Sequence, residues 1–116
     1  MKNKSYEELV EEKANEKFSL KERDIKQIHG ALHIAKSVID NMHEKEREVH
    51  DIGQMEIRNI INQIRVKFAE LEKENGWYEV SFTEKEIMAI GEGLVELKVR
   101  KDELTKDQQQ IFNLFM

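Results

Sequence analysis

The chain contains no cysteine and no proline in 116 residues. The first absence excludes disulfides, zinc–thiolate sites and thiol nucleophiles. The second leaves helix ends to be marked by caps and glycine alone. Glycine is scarce, with five residues, and aromatics make up only 7%. No glycine-rich loop follows a strand pattern, so no phosphate cradle of that type is present. No run approaches the roughly 20 apolar residues that cross a bilayer. The opening Met1-Lys2-Asn3-Lys4-Ser5-Tyr6 has charge but no apolar stretch behind it, unlike a secretory signal. A soluble, cytoplasmic protein without membrane contact is expected. Neither charge sign dominates: 19 Lys and Arg face 24 Asp and Glu, and the net charge is -5. That acidic balance argues against general affinity for nucleic acid.

Ile, Leu, Val and Phe together number 32. This is well above the level of about 20% below which chains stay disordered. The length fits one domain, here a single helical domain spanning 1–116. Lys outnumbers Arg 14 to 5, and Ile and Asn are frequent, a bias that fits an AT-rich genome such as that of a low-GC bacterium or its phage.

Four Ser or Thr residues are followed three positions later by Glu or Gln: Ser5/Glu8, Ser19/Glu22, Thr83/Glu86 and Thr105/Gln108. In such a box the hydroxyl accepts the N3 amide and the N3 side chain accepts the cap amide. After Ser19, the residues Ile25, Ile28, Leu32, Ala35, Ile39, Met42 and Val49 form a heptad seam flawed only at Glu46. The spacing predicts a helix over about 20–50. Next, Ile57, Ile60, Ile61, Ile64, Phe68 and Leu71 share one helical face, with Arg58, Asn59, Asn62, Arg65 and Val66 opposite. Asn75-Gly76 reads as its stop. Gly53 between the two stripes favours an αα-hairpin over one unbroken helix.

Trp77 to Phe82 alternates like a strand. No partner strand is evident, so an extended connector is expected over 77–82. The helix after Thr83 carries two apolar stripes: Ile87, Ile90, Leu94 and Leu97, then Met88, Val95 and Val99. The final helix from Thr105 is expected to fold back over the second stripe. Phe18-Ser19 before Ile25, Ile28 and Leu32 echoes Phe82-Thr83 before Ile87, Ile90 and Leu94, but the spacing differs by two residues. An ordinary amphipathic helix start accounts for the echo. The expected fold is therefore all-α: about five helices starting near Ser5, Ser19, Gln54, Thr83 and Thr105. It comprises a long hairpin over about 20–75, the connector and a shorter C-terminal helical pair.

Chemistry has little to stand on. Ser5, Ser19 and Thr83 serve as caps, Ser37 is mid-helix and Ser81 lies in the connector. His29 and His33 are one turn apart, but Gly30 stands where the His-Glu-x-x-His motif has its general base. They read as seam-edge imidazoles, like His43 and His50, so no metal, no cofactor and no catalysis are expected. Arg58, Asn62 and Arg65, and the cluster Lys98, Arg100 and Lys101, are the features that suit DNA or RNA. Nearby carboxylates oppose them, and cations at a helix C-terminus have an ordinary dipole explanation. The expected function is a helical protein-interaction module: a regulator, adaptor or inhibitor acting by helix–helix contact, as a homodimer. Its candidate interface residues are Ile25, Ile28, Leu32, Ile39, Met42, Trp77, Tyr78, Phe112 and Phe115. A helical DNA-binding transcription regulator is the alternative.

Overall fold

A computed structural model describes residues 5–116; the opening Met1 to Lys4, and the reading made of it, lie outside the described residues. The described chain is all-α apart from one small two-stranded sheet. In order the elements are α1 (Tyr6–Ala14), β1 (Phe18–Leu20), α2 (Glu22–Asp40), α3 (Glu44–Val49), α4 (Gln54–Glu70), β2 (Tyr78–Val80), α5 (Glu84–Arg100) and α6 (Lys106–Phe115).

Three of the four capping signals act as expected. Ser5 Oγ accepts the Glu8 amide at 3.2 Å. Thr83 and Thr105 form complete boxes with Glu86 and Gln108. Ser19 does not cap a helix; it lies in β1, opposite Glu79. The cap has moved to Lys21, whose amide donates to Asp24 Oδ2 at 2.8 Å. Strand pairing claims the backbone at Ser19, so the helix starts two residues later.

Three further expectations change. The helix over 20–50 breaks after Asp40. The Asn41 side chain donates to Ser37 O at 2.9 Å and ends α2. Arg47 then reaches back from α3 to Asp40 O and across to Gln54, which pins the short helix between its neighbours. The seam therefore stops at Ile39, and Val49 is 83% exposed. Gly53 does interrupt the helix, capping α4 with its amide donating to Glu56, but the tight turn expected there is replaced by a connection over 41–53 that contains α3. Asn75-Gly76 is not a helix stop. With φ of 51° and 85°, it makes the tight hairpin turn that both residues favour, closed by reciprocal Glu74–Trp77 bonds of 2.8 and 2.9 Å. The connector is not partnerless either: β2 pairs antiparallel with β1, Phe18 opposite Val80 and Leu20 opposite Tyr78.

That pairing gives the echo in the sequence a structural meaning. Phe18 faces Val80, and the backbones of α2 and α5 meet at Ala31 and Gly93. Each pair is 62 positions apart. So are the helix caps Lys21 and Thr83, and the buried cap-box carboxylates Asp24 and Glu86. At this offset Ser19, Glu22, Ile25, Ile28, Leu32, Lys36 and Asp40 recur as Ser81, Glu84, Ile87, Ile90, Leu94, Lys98 and Asp102. At this register β1, α2 and α3 of the first half fall on β2, α5 and α6 of the second, since 44–49 maps onto 106–111, while α1 and α4 lie outside the matched stretch. Aligning Phe18 on Phe82 hid the repeat, because the true counterpart of Phe82 is Leu20.

The core lies between the halves. Ile28, Leu32, Ile39, Ile57, Ile64, Ile90, Leu94 and Ile111 are fully enclosed. Phe115 reaches under the sheet, with its ring centroid 4.9 Å from Phe18 and 5.5 Å from Phe82. The C-terminus thus belongs to the core. However, α6 does not cover the second stripe of α5. It packs on the first stripe and on α2, while Met88 meets α1 and Val95 and Val99 stay outside. The longer first stripe continues the central core and takes precedence. Among the described residues, no helix is long and apolar enough to cross a membrane.

A Cβ built on Gly93 would sit 1.8 Å from Ala31 O, whereas one on Gly30 meets nothing within 4 Å. Gly93→Ala should therefore force the two central helices apart and cost about 3 kcal/mol. Gly30→Ala should gain about 0.5–1 kcal/mol from helix propensity. Urea unfolding of both variants checks this; equal stabilities would remove the close crossing.

Candidate functional site

Two clefts of opposite character open on the surface. The first lies between α1, α5 and the turn before α4. It has a volume of about 410 Å³ and is lined by Tyr6, Val10 and Met88 at its floor and by Glu7, Glu11, Asp51 and Glu84 around it. Among the described residues its one lining cation, Lys85, is already engaged: it donates to Asp51 O at 2.7 Å and lies 3.7 Å from Glu56. A smaller hollow adjoins it, where His50 Nε2 lies 2.9 and 3.0 Å from the two carboxylate oxygens of Glu92. Burial, then the Glu92 and Asp51 charges, push the Tyr6 hydroxyl above its ordinary pKa. An apolar floor with a carboxylate rim suits a cationic group on an apolar stem.

The second cleft lies between α2 and α4. It has a volume of about 280 Å³ and is lined by His33, Lys36, Arg58, Ile61, Asn62 and Arg65. The helix pair brings Lys36 and Arg58 to the single carboxylate of Asp40, at 3.0 and 3.3 Å. The bonds from Lys36 and Gln54, more than the Arg58 charge, hold the Asp40 carboxyl below its ordinary pKa. At the other end, His33 and Arg65 have no carboxylate partner among the described residues. His29 stands behind them, edge-on to Phe68 at 5.4 Å. Its pKa is lowered first by burial, then by the charges of Arg65 and His33.

The interface candidates divide sharply. Ile28, Leu32, Ile39 and Phe115 lie in the protomer's own core. The seam thus closes inside the hairpin and against α5, and is not free for a second copy. Ile25, Met42 and Phe112 are half-buried, and Phe112 carries the Lys98 ammonium 4.5 Å above its ring. Tyr78 is half-buried and Trp77 exposed beneath Lys21. Lys98 and Arg100 lie in the last turn of α5, and Arg100 pairs with Glu96 at 2.9 Å. His29 and His33 face cations rather than carboxylates, which disfavours a metal ion between them. His43 precedes α3 as its exposed cap. Among the described residues, no three His, Asp or Glu side chains converge as a metal site.

The sequence reading missed both clefts as units. Arg58, Asn62 and Arg65 were visible as one face, but their facing partners His33 and Lys36 appear only once the hairpin closes. Their i, i+3 spacing on α2 was the available signal. His50 and Glu92 are 42 residues apart and offered none. In comparison with known proteins, no family, no curated protein and no solved structure matches this chain.

His29 makes a pH prediction. Its folded pKa lies below the ordinary value of 6.5, so the unfolded chain takes up its proton first as pH falls. The stability from neutral His29 is fully present above 6.5 and is lost as pH falls through 6.5 toward the folded value. The melting temperature should drop between about pH 7 and 5, and less so in His29→Gln. Equal slopes for both proteins would refute the assignment.

Proposed function

We propose that this chain is a small cytoplasmic helical interaction module, a regulator, adaptor or inhibitor in kind, that binds by helix–helix contact and performs no chemistry. The observation that carries this reading is the outer face of α5. Val95 and Val99 are one turn apart and 43% and 76% exposed. Met116, 39% exposed, packs beside them against Gly91. The core is closed without these residues, which leaves them open to packing by another chain.

A second copy suits this face. Beside the valines on α5, Glu92 and Glu96 are followed by Lys98, Arg100 and, at the cap, Lys101. Two such helices laid antiparallel bring the valine stripes together and set the acidic part of each beside the basic end of the other. A twofold arrangement of this kind is the commonest among homo-oligomers. The seam on α2 is occupied within the protomer, so a homodimer has to use a surface such as this one. The acidic cleft beside the same helix adds carboxylates for cationic side chains of a further protein partner. The alternative, a helical DNA-binding regulator, draws support from the exposed Arg58, Asn62 and Arg65, and is opposed by the carboxylates on the α1 and α5 side.

Analytical ultracentrifugation tests the reading. The wild type should show a concentration-dependent dimer. The double variant Val95→Glu, Val99→Glu should be monomeric, with stability within about 0.5 kcal/mol of wild type because both positions are exposed. A wild type that stays monomeric at every concentration would remove the homodimer.

A further inference from the structure

The cleft between α2 and α4 gathers positive charge on a protein of net charge -5. Lys36, Arg58 and Gln54 converge on Asp40 at one end. The other end holds His33, Asn62 and Arg65 around open space, with His29 behind. Among the described residues its ionisable lining is His33 and Lys36 from α2 and Arg58 and Arg65 from α4, with His29 and Asp40 of α2 beside it. Only Asp40 among these is acidic, and its oxygens are already engaged.

The α2 side of this charge has no equivalent on α5: the counterparts of His29 and His33 at the offset of 62 are Gly91 and Val95, neither of them charged. The side chains of His33, Asn62 and Arg65 make no hydrogen bond or ion pair among the described residues, so an anion between them would meet donors that are not already engaged.

We propose that the His33–Asn62–Arg65 end of this cleft is a binding site for a single phosphate group. Arg65 supplies the planar fork that pairs two phosphate oxygens. Asn62 supplies a neutral amide donor. His33 adds a ring N–H and, when protonated, a charge. Lys36 and Arg58 add field from behind while Asp40 holds them in place. The phosphate is that of a small ester or free anion, or one unit of a nucleic-acid backbone. The acidic cleft and α1 disfavour a long polyanion, so the compact ligand is the expected one. The site is separate from the α5 face and does not depend on it.

The test uses the intact chain, with imidazole resonances of all four histidines followed by NMR. The probes are inorganic phosphate, sulfate and an oligothymidylate, with chloride at equal ionic strength as control. Phosphate should shift His33 and raise the pKa of His29, leaving His43 and His50 in place. Sulfate keeps its charge as pH falls while imidazole gains a proton, so its binding should tighten toward lower pH. Arg65→Gln, an exposed substitution, should weaken phosphate by at least about tenfold while leaving the melting temperature unchanged. A phosphate response no larger than that of chloride would overturn the site, as would Arg65→Gln binding like wild type. An oligothymidylate that binds where phosphate does not would overturn the single-group site in favour of a nucleic-acid surface. Competition between the two at His33 would support the shared phosphate chemistry.

Discussion

Where α2 crosses α5, no side chain separates the two backbones. Gly93 presents bare Cα to the carbonyl of Ala31, and any Cβ there would collide with backbone atoms that cannot move aside. Small buried residues flank the crossing, Ala35 on α2 and Ala89 on α5. Such close approach maximises dispersion contact between the two central helices. It also places β1 beside β2 and leaves α4 and α6 to close the remaining sides. Ala31 and Gly93 occupy equivalent positions in the two halves, as Phe18 and Val80 do in the sheet.

The two halves hold the equivalent buried carboxylate differently. In the second, Glu86 Oε1 accepts the Thr83 amide at 2.8 Å and Lys67 Nζ at 2.6 Å. Lys67 also donates to Ser81 O and lies 5.3 Å from the Phe82 ring, so it ties α4 to the start of α5. In the first, Asp24 caps through Oδ2, while its Oδ1 is buried without a partner among the described residues. The surface has diverged too. Carboxylates collect beside α1 and α5, while cations collect between α2 and α4. This segregation, rather than the modest net charge, determines what each face attracts.

Much of the fold was legible from local signals. Ser5, Thr83 and Thr105 marked their helices because capping depends on residues within one turn. The apolar stripes of α2, α4 and α5 marked the core faces because helical period maps directly onto a face. Ser19 misled because its pattern meets the box rule while its backbone belongs to a sheet. Asn75-Gly76 misled because the left-handed backbone it favours serves a hairpin turn as well as a helix end. The clefts were only half visible: the Arg58, Asn62 and Arg65 face could be seen, and its partners on α2 could not be assigned to it.

Local sequence was enough for the class of fold, most helix starts, the helix break at Gly53 and the burial of the C-terminal Phe115. These follow from composition, capping and periodicity, which act over a few residues. Long-range packing set the pairing of β1 with β2, Phe18 opposite Val80, the enclosure of the α2 seam in the chain's own core, and the meeting of His33 and Arg65 at one cleft. Each of these joins residues far apart in the chain. Their pairing depends on how apolar faces share one core and on where two backbones can approach, and no local pattern encodes either.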